Sequence, residues 1–95
     1  MFDKDIKRVI IGVADDIEQD KNAWTPSWRP GYDEASINIS LLVNYIARTT
    51  GTSLDSRSYG EFYDSCLVSL LEELRKRKLY NRVEGDILYI FRKVK

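Results

Sequence analysis

The chain has 95 residues, enough for one domain, and 43% of them are apolar, which is sufficient for a small core. Fifteen basic residues balance fifteen acidic ones, and there is no histidine, so the commonest general base and the commonest zinc ligand are both missing. The single cysteine excludes an internal disulfide. Neither a glycine-rich phosphate-binding motif nor an EF-hand spacing occurs. We therefore expect no metal, no cofactor and no enzymatic activity.

The sequence shows no sign of membrane insertion or export. The longest runs of apolar or small residues are 9–14 and 87–91, well below the roughly 20 residues that span a bilayer. The N-terminal residues do not combine a basic start, an apolar block and a small-residue cleavage site. We therefore expect a cytoplasmic protein that does not contact a membrane.

A first helix is predicted over residues 3–21. Asp3 is placed to cap it, and Asp5 puts an acid in the first turn, where the helix dipole favours negative charge. Apolar residues recur at helical spacing and form one stripe: Ile6, Val9, Ile10, Val13 and Ile17. This stripe predicts that one face of the helix packs on the rest of the domain.

Residues 22–33 are predicted to form a loop, because Pro26 and Pro30 rule out a continuous helix. The loop carries three large aromatic residues: Trp24, Trp28 and Tyr32. Two interpretations are open. The indoles fold back over the core as a lid, or the aromatic residues form an exposed surface that contacts a protein partner.

A second helix is predicted over residues 34–50, with Asp33 as its N-cap and Gly51 at its C-terminal end. Apolar residues cover most of its sides, which indicates a central position in the domain. The helical periodicity of Ile37, Leu41 and Tyr45 supports this prediction.

A third helix is predicted from Ser58 to about Leu79. Ser58 and Glu61 have the spacing of a capping box, in which each side chain accepts a hydrogen bond from the other residue's backbone. A leucine-rich stripe follows at helical spacing. Cys66 lies within that stripe and is predicted to be a buried, unreactive thiol.

The chain is predicted to end in a β-hairpin that turns at Gly85-Asp86. A two-residue loop sets the register, so the opposed pairs are Tyr80 and Phe91, Asn81 and Ile90, Arg82 and Tyr89, Val83 and Leu88, and Glu84 and Ile87. The face with Asn81, Val83, Leu88 and Ile90 is predicted to meet the core. The other face is aromatic and partly basic, and a cation–π pair of Arg82 with Tyr89 is expected there. Either the protein itself, a dimer mate or a different partner covers this aromatic face.

The chain is neutral but polarised. Residues 75–95 hold eight Lys or Arg against two acids, a net charge of +6, whereas residues 1–34 and 35–74 each carry −3. The run Arg75, Lys76, Arg77 and Lys78 stands at the predicted end of the third helix, where basic residues offset the helix dipole. Four in a row exceed that need, so electrostatic binding of a partner is the second interpretation.

The segment 67–92, LVSLLEELRKRKLYNRVEGDILYIFR, resembles the second half of a winged helix-turn-helix domain. The segment before it, 40–53, SLLVNYIARTTGTS, is similar to the first helix of the helix-turn-helix pair. The resemblance covers roughly residues 33–93. It implies an α+β, mainly helical fold with three helices followed by a C-terminal β-hairpin, and the start of the third helix in the major groove of double-stranded DNA.

The resemblance also implies roles for particular residues. The side chains nearest to base edges would be Arg57, Ser58, Tyr59 and Tyr63, and Arg82 with the hairpin tip would act as the wing. The basic helix end or the tail would contact phosphates. The residues nominated for contact with nucleic acid or another partner are Arg57, Ser58, Tyr59, Tyr63, Arg75, Lys76, Arg77, Lys78, Arg82, Tyr89, Arg92 and Lys93.

The sequence favours a small protein-interaction module, of the kind with which a viral or mobile-element protein docks on a host or assembly partner. Eleven aromatic residues, the loop with Trp24, Trp28 and Tyr32, and the two-faced hairpin support this prediction. The alternative is a winged-helix transcriptional regulator that binds DNA through the third helix and the basic hairpin. Neutral net charge and the acids Glu61 and Asp64 weigh against that alternative. Both functions are compatible with a homodimer.

Overall fold

Three helices lie against one face of a four-stranded antiparallel sheet in the computed structural model, which describes residues 4–94. In chain order the elements are α1 (Lys4–Gln19), β1 (Thr25–Pro26), β2 (Tyr32–Asn38), α2 (Ile39–Thr49), α3 (Ser58–Lys76), β3 (Tyr80–Glu84) and β4 (Ile87–Lys93). The strands are arranged β1-β2-β4-β3, so β3 is an outer strand. The predicted α+β, mainly helical class, with three helices and a C-terminal hairpin, is confirmed.

The core lies between the helices and the inner face of the sheet. Its most deeply buried side chains come from all three helices and from β4: Ile10, Ile39, Val43, Ile46, Cys66, Leu70, Leu74, Leu88 and Ile90. The apolar stripe predicted for the first helix packs on this core, with Ile6 and Ile10 fully buried and the remainder half-buried. The predicted cap Asp3 lies outside the described residues, and α1 ends at Gln19.

The prediction that a helix begins at residue 34 is wrong, because residues 32–38 form strand β2. This strand pairs with β4 along its whole length, from Tyr32 opposite Lys93 to Asn38 opposite Ile87. Asn38, and not Asp33, caps α2: its side-chain oxygen accepts a hydrogen bond from the Leu41 N–H at 3.0 Å. The periodicity of Ile37, Leu41 and Tyr45 does not mark the buried face of a helix, because Ile37 belongs to β2, and Leu41 and Tyr45 are exposed on α2. The buried residues of α2 are Ile39, Val43, Ile46 and Ala47. The backbone groups of residues 32–38 are used by a strand distant in sequence.

The start of α3 is also capped differently from the prediction. Asp55 accepts hydrogen bonds from the backbone N–H groups of Arg57 (2.9 Å) and Ser58 (2.8 Å), and the Ser58 hydroxyl accepts one from the Asp55 N–H (3.1 Å). These bonds form a capping box one turn before the predicted one. Glu61 therefore stays exposed in the first turn, where the dipole favours its charge.

The predicted hairpin register is confirmed at all five opposed pairs. Gly85 has φ 59°, and among the described residues only Lys78 is a non-glycine with positive φ, so the loop has the single positive φ of a type II′ turn. The predicted core face is correct for Leu88 and Ile90 and wrong for Asn81 and Val83, which are exposed. β3 is an outer strand of the sheet, and all five of its residues are exposed.

Helices α2 and α3 end in the same backbone motif with different residues at its left-handed position. At the end of α2, Gly51 has φ 68°, and the Thr52 N–H donates to the Ala47 carbonyl at 2.8 Å. At the end of α3, Lys78 has φ 60°, and the Leu79 N–H donates to the Leu74 carbonyl at 2.9 Å. This conformation suits glycine and strains a residue with a Cβ atom. The predicted role of Gly51 is confirmed, and α3 ends at Lys76 instead of about Leu79.

Replacement of Lys78 with glycine should therefore raise the free energy of unfolding by about 0.5–1 kcal/mol, because glycine removes the steric strain at positive φ. The matched control is Gly51→Ala, which should lower the free energy of unfolding by about 1 kcal/mol. Urea denaturation followed by circular dichroism measures both changes. A Lys78→Gly variant less stable than the wild type would contradict the prediction.

Candidate interaction surface

One face of the sheet is turned away from the helices. Alternation along the paired strands places on this face four aromatic rings, Tyr32, Tyr80, Tyr89 and Phe91, together with Glu34, Ser36, Asn38, Arg82, Glu84, Ile87 and Lys93. None of these residues is buried, whereas Leu88 and Ile90 on the opposite face are fully buried. We call this the open sheet face.

A groove of about 470 Å³ lies on the open sheet face, where the β1–β2 loop meets the hairpin. Its lining residues are Trp28, Arg29, Tyr32, Tyr80, Asn81, Arg82 and Phe91. The Trp28 side chain is 77% exposed, which is unusual for so large an apolar group. The lining contributes two arginines and, within the part of the chain that the structure describes, no carboxylate. We call this the aromatic groove.

The arginines of the aromatic groove lie over aromatic rings. The Arg82 guanidinium is 5.1 Å from the centre of the Tyr89 ring and 5.9 Å from that of Phe91, so the predicted Arg82–Tyr89 cation–π pair is confirmed. Arg29 lies 5.4 Å from the centre of the Tyr32 ring. Such contacts orient each guanidinium. Arg82 also forms an ion pair with Glu84 at 3.6 Å, and because both side chains are exposed this pair is weak.

Trp24, which the sequence also nominates as a partner contact, belongs to the core. Its side chain is only 7% exposed, and the indole N–H donates to the Ile17 carbonyl at 2.8 Å. Arg92 lies 4.5 Å from the ring centre and bridges to Asp33 at 3.3 Å. The lid interpretation therefore applies to Trp24, and Arg92 supports it, while Trp28 has the exposure expected of a contact residue.

The basic run at the end of α3 is divided between internal and external roles. Arg77 points inward: its guanidinium donates to the Glu73 carboxylate at 2.9 Å and to the Asp15 carboxylate on α1 through Nη2 at 2.5 Å and Nε at 3.2 Å. Lys76 bonds to the same Glu73 carboxylate at 3.1 Å. Arg75 and Lys78 are exposed. Among the nominated contacts in this run, Arg77 is thus occupied by the protein's own acids.

The Glu73 carboxylate is the one charged side chain in the described core. It is 6% exposed, and hydrogen bonds from Arg77 and Lys76 hold its pKa below the usual range despite burial. The pKa of Arg77 is raised by its bonds to Asp15 and Glu73. This ion-pair network ties α1 to the C-terminal end of α3.

The hairpin tip is anchored to the helices. The Tyr63 hydroxyl donates to the Asp86 carboxylate at 2.7 Å, and Asp86 also accepts from the Ser40 N–H at the start of α2, at 3.1 Å. The bond from Tyr63 lowers the pKa of Asp86, and burial together with that bond raises the pKa of Tyr63 to about 12. Tyr63 is therefore not a free recognition side chain, and the tip is not a free arm.

The residues nominated from the winged-helix resemblance do not form one surface. Arg57, Ser58 and Tyr59 lie at the start of α3, while Arg75 lies near its other end, about 25 Å away at 1.5 Å per residue. Between them, the exposed positions of α3 are Gly60, Glu61, Asp64, Ser65, Val68 and Glu72. Arg82, Tyr89 and Lys93 lie on the open sheet face.

Four of the groove residues are not among the contacts nominated from the sequence: Arg29, Tyr80, Asn81 and Phe91. The predicted register already placed Tyr80 opposite Phe91 on the aromatic face of the hairpin. Strand β2 was the missing element, because its pairing with β4 brings the loop with Trp28 and Arg29 beside the hairpin. The helix predicted over residues 34–50 was incompatible with this pairing of β2 with β4.

Residues 4–94 were also compared with the requirements of a reactive thiol, a metal site and a membrane-spanning helix. Cys66 is buried, and desolvation raises the pKa of its thiol to about 11, so the predicted inert thiol agrees with the structure. No three potential metal ligands of the His, Cys, Asp or Glu type converge in this part of the chain. None of its helices has the length and apolar character that crossing a bilayer requires.

The comparisons with known proteins add no functional assignment. No protein-family model matches the chain, and no significant match exists among the curated proteins or the solved structures. The open sheet face with its aromatic groove is therefore identified from geometry and chemistry alone.

Proposed function

We propose that this chain is a protein-interaction module that binds its partner through the aromatic groove on the open sheet face. The observation that carries the proposal is the exposure of Trp28 beside three further aromatic rings and two arginines. Tryptophan, tyrosine and arginine are the residues that dominate binding energy in protein interfaces. Burial of the Trp28 ring by a partner supplies apolar contact, and the arginines supply orientation and charge recognition.

A winged-helix regulator is the second candidate, because β2 precedes the two helices α2 and α3, and the hairpin follows them. That order is compatible with the winged-helix resemblance. The exposed residues of α3 weigh against it, since Glu61, Asp64 and Glu72 would face DNA phosphates. The open sheet face supports protein binding without this conflict.

A site-specific crosslinking experiment tests the proposal. A photoreactive amino acid placed at Trp28 should crosslink a partner in the cells that produce the protein. The matched control position is Val68, an exposed apolar residue on α3, away from the groove. The crosslink should form at position 28 only, and it should disappear when Arg82→Glu is added. Equal crosslinking at both positions, or crosslinks that survive Arg82→Glu, would contradict the proposal.

The identified partner then allows a quantitative test with purified proteins. Trp28→Ala should weaken binding by about 30-fold, because truncation of an aromatic anchor costs about 2 kcal/mol. Val68→Ala should leave the dissociation constant within about twofold. In parallel, fluorescence anisotropy should detect no micromolar binding to a mixed-sequence DNA duplex of about 30 base pairs at low salt. Micromolar duplex binding that weakens with salt would favour the regulator instead.

A further inference from the structure

The outer edge of β3 borders the aromatic groove and is able to accept another strand. All five residues of β3 are exposed, and Tyr80, Asn81 and Arg82 also line the groove. The two residues that flank a two-residue hairpin loop form a hydrogen-bonded pair, so Glu84, Arg82 and Tyr80 direct their backbone groups to β4. Asn81 and Val83 consequently direct theirs outward, where an added strand would bond to them.

We propose that the partner segment is an extended acidic peptide that adds to β3 as a further strand and places its side chains in the aromatic groove. This inference rests on the proposed function and specifies its ligand. Extended peptides commonly bind by strand addition, in which backbone hydrogen bonds provide affinity and side-chain pockets provide specificity. The outward backbone groups of Asn81 and Val83 supply the first requirement and the groove supplies the second.

Charge determines one position of the bound segment. Arg82 lines the groove together with Arg29. It also forms an exposed ion pair with Glu84 at 3.6 Å, but the groove lining itself contains no carboxylate within the described residues. A side chain directly opposite Arg82 in an added strand would lie within about 5.5 Å between Cβ atoms, so an aspartate or glutamate there forms a cross-strand ion pair. The segment therefore carries an acid opposite Arg82.

Strand alternation determines the next position on the same face. The residue two positions from that acid lies opposite Tyr80, which is 58% exposed and stands in the groove with Trp28. An aromatic or aliphatic side chain at this position would be buried between the two rings. Two positions from the acid in the other direction, the residue of the added strand lies opposite Glu84. The negative charge of Glu84 disfavours a second acid at this position. The recognised pattern is an acid and an apolar residue separated by one residue.

A single-stranded nucleic acid fits the same surface less well. Base stacking needs uncovered ring faces, but Arg82 lies over Tyr89 and Phe91, and Arg29 lies over Tyr32, so that of the aromatic rings on this face Trp28 and Tyr80 are left for stacking. The outward N–H and C=O groups of a strand edge match a peptide backbone, whereas a phosphodiester backbone carries no amide donors for the carbonyls. The peptide therefore accounts for both the groove and the edge.

Selection from a displayed library of random peptides of about twelve residues tests the proposal with the whole chain. Peptides with an acid and an apolar residue at the i and i+2 positions should be enriched. The strongest synthetic peptide is then measured by fluorescence anisotropy against the wild type and variants. Arg82→Glu should weaken its binding by at least about tenfold, and Arg75→Glu, an exposed change outside the groove, by less than about twofold. A peptide with lysine in place of the acid should bind Arg82→Glu better than the wild type.

Strand addition itself is tested with Asn81→Pro, which removes an outward N–H at a position where an edge strand tolerates proline. This variant should bind the peptide at least about tenfold more weakly while its circular dichroism spectrum is retained. If the variant unfolds, methylation of single peptide amides replaces it, and loss of binding at alternate amides is then expected.

The outcomes separate this inference from the proposed function. The proposal of an acidic peptide would be overturned if the library yields no enriched peptides or if the enriched peptides lack acids. It would also be overturned if an oligothymidine competes with the peptide and binds more tightly. If the Trp28 crosslink nevertheless persists, the interaction module stands and its partner presents a folded surface. If the crosslink also fails, the proposed function is wrong as well.

Discussion

Replacement of Trp24 with alanine should lower the free energy of unfolding by about 3–5 kcal/mol, the usual effect of removing a buried aromatic ring. Replacement of Trp28 should change it by less than about 0.5 kcal/mol, because its side chain is 77% exposed. The two tryptophans lie on either side of the short strand β1, four residues apart, and differ in their surroundings. Trp24 loses its contact with Arg92 and its hydrogen bond to Ile17, whereas Trp28 loses contact mainly with solvent.

Urea denaturation followed by far-ultraviolet circular dichroism measures both variants without relying on tryptophan emission. Trp24→Phe is the control, because it keeps most of the buried apolar surface and removes the N–H donor to the Ile17 carbonyl. The free energy of unfolding that Trp24→Phe loses should lie between the losses in Trp24→Ala and Trp28→Ala. Equal effects of Trp24→Ala and Trp28→Ala would show that Trp24 does not belong to the core.

Replacement of Arg77 with methionine should lower the free energy of unfolding by about 3–5 kcal/mol at neutral pH, since it leaves the Glu73 carboxylate buried with insufficient compensation. The Arg77 side chain is 15% exposed and contacts Glu73 and Asp15. Arg75→Met is the control: Arg75 is exposed on the same helix turn and should change stability by less than about 0.5 kcal/mol. Similar losses in both variants would contradict the internal role of Arg77.

A second substitution isolates the cause of that loss. The pair Glu73→Leu with Arg77→Met replaces the buried ions with apolar groups and should recover most of the stability lost in Arg77→Met, because no unpaired charge remains. A double variant as unstable as the single one would indicate that Arg77 acts mainly through packing or through Asp15.

The same network predicts the direction of the pH dependence. The pKa of Glu73 is lowered by Arg77, so the folded state binds the Glu73 proton more weakly than the unfolded state does. Its stabilisation is complete above the ordinary value of 4.5 and is lost as the pH falls through the lower folded-state pKa. Glu73→Gln should reduce this loss when unfolding is measured between neutral pH and acid. Asp55 and Asp86, whose pKa values are also lowered, should retain part of the acid sensitivity.

Local chemistry was sufficient wherever a short segment determines its own conformation. The two-residue loop with Gly85 set the hairpin register, since the length of the loop determines which residues of the two strands are opposed. Gly51 marked the end of α2, because few other residues accept positive φ. The apolar stripes of α1 and α3 predicted helices because each stripe follows the 3.6-residue repeat.

Only the tertiary structure decided features whose partners lie far away in sequence. Residues 32–38 became a strand because β4, whose paired residues lie 49 to 61 positions later, offers a complete set of backbone partners. Arg77 differs from Arg75 because Asp15 and Glu73 surround it, and Trp24 differs from Trp28 because Ile17 and Arg92 hold it. The aromatic groove depends on the same long-range pairing, which brings the loop of Trp28 to the hairpin face whose register the sequence alone determined.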